Sequence, residues 1–213
     1  MIKAVLFDFG GVIAEEGFFE GVQAIGKQNG LDPQKFFSVV DTLIYETGYL
    51  TGAAGEAEFW SVVRNRTGIT GDDESLKEEI LRRFVIRPDM LSDVDALRTR
   101  GVRVALLSDQ TNWLDEINKR TPLFQHFDRI FNSYHVHKSK RDASVFMDVC
   151  SALGTPPEQT LFIDDNINHV IRAQRQGLRT IHFVTRKDFE MRLREYLYGM
   201  TEEQDENVAK GEI

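Results

Sequence analysis

The chain has 213 residues, of which 41% are apolar, and its formal net charge is −8. This length suits one domain, or one domain with an insertion, and this apolar share supplies a sizeable core, so a chain that is disordered throughout is excluded. The acidic balance argues against a general binder of nucleic acid or of anionic membranes.

No segment approaches the run of about 18 apolar residues that a membrane span needs, and the first residues lead into a strand-like segment rather than a signal peptide. The single cysteine, Cys150, cannot form an intramolecular disulfide. We therefore expect a cytoplasmic protein that has neither a membrane nor a nucleic acid as its partner.

The first predicted strand is the short apolar run 4–7, and the segment 14–87 that follows contains no strong strand pattern. Asp32 and Pro33 are typical of a helix start, and apolar residues then recur at helical spacing. Glycines separate this helix from two later amphipathic patterns. The apolar positions of the three patterns are Phe36, Phe37, Val40, Leu43 and Ile44, then Phe59, Trp60 and Val63, then Leu76, Ile80, Leu81 and Phe84.

Beyond Arg87 and Pro88, strand and helix patterns alternate, and the strands are nearly continuous apolar runs. Such runs are typical of parallel strands buried on both faces, so we predict an α/β fold with a doubly wound parallel sheet. The predicted strands are 102–107, 129–131, 160–163 and 180–183, and the predicted helices are 90–100, 112–119, 143–153 and 166–176.

Three regions follow from this pattern. An α/β core is predicted over 1–13 and 88–200, and an inserted α-helical domain over 14–87. The acidic, polar segment 201–213 has no periodic apolar face, so we expect it to be a flexible tail.

Polar residues follow four of the predicted strands, where a doubly wound sheet binds its ligands. Each residue alone is explained as well by a turn or a helix cap. Their occurrence after successive strands is what indicates a shared site. The four groups are Asp8 with Gly10 and Gly11, Ser108 with Asp109, the run from Lys138 to Arg141, and Asp164 with Asp165.

These residue types match the needs of phosphoryl transfer through an aspartyl phosphate. One carboxylate attacks phosphorus, and a magnesium ion held by hard oxygen ligands reduces the repulsion between the two anions. A lysine and a serine hydroxyl offset the charge that gathers on the phosphoryl oxygens. Glycines let the backbone approach the phosphate closely.

Four motifs together resemble the haloacid-dehalogenase-like hydrolase superfamily over about residues 1–185. Within it, the chain is most similar to the branch that contains bacterial glucose-1-phosphate phosphatase, including the cap segments Tyr49-Leu-Thr-Gly and Glu58-Phe-Trp60. The motifs are VLFDFGGVI at 5–13, LSDQTN at 107–112, KRDASVF at 140–146 and FIDDN at 162–166.

The resemblance implies an α/β core with a mobile helical cap and a magnesium-dependent phosphohydrolase. Its substrate would be a small phosphorylated metabolite, with a sugar phosphate among the candidates. The implied catalytic residues are Asp8 as nucleophile, Ser108 and Lys140. Substrate binding is implied for Gly10, Gly11, Ser108, Asp109 and Lys140, and metal binding for Asp8, Gly10, Asp164 and Asp165.

The chain departs from the superfamily pattern at several of these positions. Gly10 stands where phosphatases of the superfamily usually carry an aspartate that acts as general acid and base. Asp109 replaces an asparagine, Arg141 replaces the proline after the motif lysine, and His169 replaces a frequent asparagine. Lys138 is an alternative to Lys140 as the motif lysine.

Without an acid at position 10, we expect esters with good leaving groups to be cleaved better than alkyl phosphates, unless Asp109, a water or a group from the cap supplies the proton. Two other functions stay open. One is dehalogenation of a 2-haloacid, against which the acidic pair Asp164 and Asp165 argues, because that chemistry needs no metal. The other is a catalytically weak protein that binds a phosphorylated metabolite or a protein partner.

Overall fold

The computed structural model describes residues 1–199, so the predicted tail at 201–213 lies outside the described residues. Within the described range, no helix is both long enough and apolar enough to cross a membrane.

A sheet of five parallel strands forms the centre of the molecule, in the order β3-β2-β1-β4-β5. All five predicted strands are confirmed, and their ends lie within one residue of the prediction. The doubly wound α/β prediction is confirmed as well. The strands are β1 (Ala4–Phe7), β2 (Arg103–Ser108), β3 (Arg129–Asn132), β4 (Thr160–Asp164) and β5 (Arg179–His182).

Both faces of the sheet are buried, as the apolar runs predicted. In β1, Val5 and Phe7 belong to one hydrophobic cluster, whereas Ala4 and Leu6 belong to another on the opposite face. This separation follows from the two-residue period of a strand. Because β1 is covered on both sides, it holds the residue that follows it, Asp8, at a fixed position.

The four helices predicted for the core are confirmed to within two residues at each end. Three short 3₁₀ helices lie at Tyr49–Thr51, Phe124–His126 and Pro157–Gln159. The helices are α1 (Gly17–Gln28), α2 (Pro33–Glu46), α3 (Glu56–Thr67), α4 (Asp73–Leu81), α5 (Pro88–Thr99), α6 (Trp113–Arg120), α7 (Ser133–Val136), α8 (Ser144–Leu153), α9 (Ile167–Arg175) and α10 (Arg186–Tyr198).

Helix α1 was not among the sequence predictions, because three glycines lower its intrinsic helix propensity. The same glycines allow close packing of the helix. A Cβ atom on Gly21 would lie 2.6 Å from the Cα atom of Ile80 in α4, and one on Gly26 would lie 2.9 Å from the Phe36 ring in α2. The packing that stabilises α1 therefore depends on residues that argue against a helix locally.

Helices α1 to α4 lie between β1 and α5, and the chain enters and leaves this helical segment through two adjacent extended segments, which are joined by an antiparallel bridge between Ala14 and Ile86. The Glu15 amide donates to the Val85 carbonyl over 2.9 Å, and the Arg87 amide donates to the Ile13 carbonyl over 2.9 Å. The Arg87 guanidinium also pairs with Glu15 at 2.8 Å. We call the segment 14–87 the cap.

The cap also contacts the core away from this crossing. The Tyr49 hydroxyl donates to Asn112 Oδ1 over 2.6 Å, and the Ser133 hydroxyl donates to the Leu50 carbonyl over 2.9 Å. In this arrangement the cap lies against the core and covers the carboxyl end of the sheet.

Candidate active site

A cavity of about 290 Å³ lies beyond the carboxyl ends of β1, β2 and β4, between the core and the cap. The strand order reverses between β1 and β4, and ligands of doubly wound sheets bind at such a point. We call one side of the cavity the floor and the other the wall. The floor is Asp8, Ser108, Lys140, Asp164 and Asp165, and the wall is Phe18, Phe19, Phe37, Asp41 and Tyr45 of the cap.

Lys140 is the central residue of the floor, and its ammonium is buried. Its Nζ atom lies 2.8 Å from Asp8 Oδ2 and 2.6 Å from Asp164 Oδ2. Burial alone would lower the pKa of Lys140, but the carboxylates of Asp164 and Asp8 outweigh it and hold this pKa well above its ordinary value. Lys140 therefore stays charged.

Asp8 follows β1 directly and lines the cavity. The Phe9 amide donates to its Oδ1 atom over 2.7 Å. Burial raises the pKa of the Asp8 carboxyl well above its usual range, and the Asp164 and Asp165 carboxylates add to the rise while Lys140 opposes it. One carboxylate oxygen is thus held by an amide and the other by an ammonium.

The loop before α8 brings Lys140, and not Lys138, to Asp8. The Lys140 backbone amide donates to Asp109 Oδ1 over 2.8 Å, which fixes the turn that points the lysine inward. Lys138 is on the outside, where its Nζ atom donates to the Ser144 hydroxyl over 2.9 Å and pairs with Asp148.

Asp164 and Asp165 end β4 but differ in their surroundings. Asp164 is buried, and its Oδ1 atom accepts from the Asn166 amide over 2.7 Å. Burial would raise its pKa, but Lys140 and the His169 ring, which is 3.3 Å away, hold it well below the ordinary value. Asp165 is half-buried, and burial together with the Asp164 carboxylate raises its pKa.

Gly11 has two reasons to be glycine. Its φ angle is +76°, which side chains rarely adopt. A Cβ atom at this position would also lie 2.1 Å from Asp165 Oδ2. The backbone after β1 therefore passes directly against the acidic pair.

The floor has the donor set that a divalent cation needs. Three carboxylates, Asp8, Asp164 and Asp165, belong to the floor, and Lys140 pairs with the first two. Ligand atoms of Asp8, Asp164 and His169 lie within 4.8 Å of one another. Burial and the neighbouring carboxylates raise the pKa values of Asp8 and Asp165. Magnesium prefers such carboxylate oxygens, and its positive charge would favour their ionised forms. These residues fit the predicted ion.

Ser108 and Asp109, at the end of β2, line the same cavity. Ser108 is buried. The Tyr45 hydroxyl of the cap donates to Asp109 Oδ2 over 3.4 Å, and the other Asp109 oxygen holds the Lys140 amide. Burial raises the pKa of Asp109. Asp109 therefore connects the lysine loop with the cap.

Glu16 lines the cavity, although it was not among the predicted site residues. It immediately precedes α1, and its Oε1 atom accepts from the Phe19 amide over 3.3 Å. Its Oε2 atom lies 2.7 Å from the place where a Cβ atom on Gly10 would be. Burial, with the Asp165 carboxylate adding to it, raises the pKa of Glu16 to about 7. The sequence shows an acidic residue at this position, but it does not show that the residue lies near Gly10, because that proximity arises only in the tertiary structure.

Aromatic rings from α1 and α2 make up most of the wall. The Phe19 and Phe37 ring centroids are 4.7 Å apart at an edge-to-face angle of 78°, and Phe18 lies 6.1 Å from Phe37. Beside them, the Arg141 guanidinium stacks on the Tyr45 ring at 3.3 Å. A ligand held on the floor would meet an apolar surface opposite.

Comparisons with known proteins agree with this arrangement. The family model for haloacid dehalogenase-like hydrolases matches residues 2–177. YhcW of Bacillus subtilis (strain 168), whose name includes the word phosphatase, is 25% identical over 191 residues, which cover 85% of this chain and 83% of YhcW. The GMP/IMP nucleotidase YrfG of Escherichia coli (strain K12) is 24% identical over 194 residues, covering 88% of this chain and 85% of YrfG.

Among solved structures, those of the enzyme bt-2542 of Bacteroides thetaiotaomicron are similar to this fold. One structure of it gives a TM-score of 0.74 at 25% identity and covers 91% of this chain and 98% of that one. Another, in complex with magnesium and inorganic phosphate, gives a TM-score of 0.68 at 26% identity, with 85% and 93% covered.

Proposed function

Because the chain belongs to the haloacid dehalogenase-like hydrolase family, we propose that it is a magnesium-dependent phosphohydrolase. Its substrate is a small phosphorylated metabolite, and the reaction passes through an aspartyl phosphate. The observation that carries this proposal is the buried contact of Lys140 with both Asp8 and Asp164 at the switch point of the sheet.

Asp8 is the nucleophile in this proposal. The Phe9 amide and Lys140 fix its two oxygens, so the carboxylate is already oriented before a substrate arrives. Orientation of this kind removes much of the entropic barrier to attack. Lys140 lowers the repulsion between this carboxylate and an incoming phosphate, and the Ser108 hydroxyl is available as a donor to the phosphoryl oxygens.

Asp8, the Gly10 carbonyl and Asp165, with Asp164 behind them, are the residues we assign to the magnesium ion. When bound, the ion supplies positive charge between the nucleophile and the phosphate. The magnesium and inorganic phosphate present in a structure of bt-2542, at 26% identity, support this assignment. The phosphatase and nucleotidase named among the relatives support a phosphate ester as the substrate.

A screen of phosphorylated metabolites tests the proposal. It includes hexose phosphates and nucleoside monophosphates, with and without magnesium, and measures released phosphate. We expect release that needs magnesium and stops with a chelator. Asp8→Asn should abolish it, because an amide is a poor nucleophile, whereas the exposed control Asp148→Asn should keep it. Halide release from a 2-haloacid without metal would instead establish a dehalogenase.

A further inference from the structure

The reaction needs a proton donor that the floor does not supply. Gly10 has no side chain, the two Asp109 oxygens accept from the Lys140 amide and the Tyr45 hydroxyl, and the His169 ring contacts Asp164. General acid and base assistance is typically worth about 10²- to 10⁴-fold in rate. A hydrolase of alkyl phosphates therefore has to place an acid here from elsewhere in the chain.

Glu16 places a carboxyl group where a side chain at position 10 would be. Its Oε2 atom is 2.7 Å from the Cβ position built on Gly10, so an acidic side chain on residue 10 would compete with Glu16 for the same volume. The two residues are six apart in sequence and belong to different regions, because Gly10 follows β1 and Glu16 precedes the first cap helix. Only the tertiary structure brings these two residues next to each other.

The Glu16 carboxyl is held rather than free. Oε1 accepts from the Phe19 amide in the first turn of α1, which leaves Oε2 directed at Gly10. The same position is bordered by the Phe84 ring, 3.5 Å from the built Cβ atom. Glu16 lines the cavity together with Asp8 and Asp165. One carboxyl oxygen thus faces the space in which a substrate oxygen has to lie.

We propose that Glu16 is the general acid and general base of the hydrolysis, a role that rests on the phosphohydrolase function proposed above. In the first half, Asp8 forms a bond to phosphorus and the bond from phosphorus to the ester oxygen breaks. That oxygen keeps the electron pair and takes the proton of the Glu16 carboxyl, which yields an alcohol, the aspartyl phosphate and the Glu16 carboxylate.

In the second half, the Glu16 carboxylate takes a proton from a water whose oxygen bonds to phosphorus. The bond from phosphorus to the Asp8 oxygen breaks, and its electron pair restores the Asp8 carboxylate. The products are inorganic phosphate and the Glu16 carboxyl, so the protein returns to its starting state. The same oxygen, Oε2, serves both halves.

Glu16→Gln tests this role with little structural change, because the amide oxygen can still accept from the Phe19 amide. The esters compared are ethyl phosphate and 4-nitrophenyl phosphate, whose leaving group needs no proton. We expect kcat for ethyl phosphate to fall by about 10²-fold or more. With 4-nitrophenyl phosphate, 4-nitrophenolate should be released in a burst, while the phosphorylated form of the protein accumulates. Intact mass after acid quenching measures this accumulation.

Glu15→Gln is the matched control. Glu15 is the preceding residue, is exposed and pairs with Arg87 outside the cavity. It should give wild-type rates within about twofold and no accumulation, since its carboxyl pairs with Arg87 and does not line the cavity.

A transplanted acid gives an independent test. Glu16→Ala alone should lose ethyl phosphate hydrolysis, and Gly10→Asp added to it should restore the rate at least about tenfold, because the new carboxyl enters the vacated volume. Gly10→Asp alone should be impaired by the contact with Glu16.

The proposal is overturned if Glu16→Gln keeps the wild-type ratio of the two ester rates and accumulates no phosphorylated protein. In that case the wild type remains active and Asp8→Asn inactive, so the proposed function stands. If the wild type releases phosphate from neither ester nor from any metabolite of the screen, the proposed function fails and the role of Glu16 fails with it.

Discussion

The floor and the wall of the cavity face each other but are built differently. The floor is a set of buried charges in mutual contact, with Lys140 between Asp8 and Asp164. The wall consists mostly of aromatic rings from two cap helices, of which Phe19 and Phe37 are in edge-to-face contact. The floor is suited to handling charge in the reaction, and the wall is suited to choosing the organic part of the substrate.

The two regions should also respond differently to mutation. A buried charge that loses its partner is left uncompensated, which costs about 3–5 kcal/mol. A ring lost from a cavity wall removes contact area from one side of the ligand and leaves the remaining contacts in place. Single changes in the floor should therefore affect both fold and chemistry, and those in the wall should affect binding.

The largest effect is expected for Lys140→Met. It leaves Asp8 and Asp164 without their shared ammonium, so the free energy of unfolding should fall by about 3–5 kcal/mol. The value of kcat/KM should fall by about 10²- to 10³-fold, because charge on the phosphoryl oxygens loses its partner. Urea denaturation and phosphate release measure the two quantities.

Lys138→Met is the matched control for this prediction. Lys138 is on the exposed side of the same loop, where solvent screens its pair with Asp148, so its loss should change neither stability nor turnover appreciably. If Lys138→Met proved the more damaging of the two, the assignment of the motif lysine would be wrong.

Next in size is the effect of Asp165→Asn on magnesium binding. This change removes a charge from the set of three floor carboxylates, so magnesium affinity should fall about tenfold or more by calorimetric titration. The wall carboxylate Asp41 offers a comparison, and Asp41→Asn should leave the affinity within about twofold. Equal losses from both variants would show that the ion does not depend on the floor.

The sequence was sufficient to predict the floor, because the topology of a parallel sheet brings residues that follow its strands to one edge. Asp8, Ser108 and Asp164 each end or follow a strand whose apolar run is unambiguous. The choice between Lys140 and Lys138 depended on the motif, since both occupy one polar loop. The structure adds the hydrogen bond from the Lys140 amide to Asp109, which points Lys140 inward.

The wall and Glu16 could not be predicted in this way. Phe37 was visible only as part of an amphipathic pattern, which does not tell core-facing from cavity-facing positions. Phe18 and Phe19 belong to α1, which was not predicted because its glycines lower the helix propensity of the segment. The relation of Glu16 to Gly10 depends on how the cap is placed over β1, and no local pattern encodes that placement.

A smaller effect is expected for Phe37→Ala. Loss of one large ring from the wall should weaken binding of an aryl or other apolar ester by about 1–3 kcal/mol, which raises KM about 5- to 150-fold while kcat changes little. Inhibition by inorganic phosphate is the internal control, because phosphate has no organic part to contact the wall. A parallel fall in kcat would mean that the wall also positions the reacting groups.

The smallest effect is expected for Arg141→Gln, at the border between the two regions. Arg141 directly follows Lys140, yet its guanidinium is half-exposed, stacks on Tyr45 and lies 3.4 Å from Asp41. Exposed cation–π contacts and surface ion pairs are each worth at most about 1 kcal/mol, so loss of both should lower the melting temperature by no more than about 8 °C. Turnover should stay within about threefold of the wild type, because no floor residue loses a partner. Thermal denaturation and kcat for 4-nitrophenyl phosphate test this together. A loss of turnover approaching that of Lys140→Met would show that the stack of Arg141 on Tyr45 helps to position the lysine loop. The floor and the wall would then not be independent of each other.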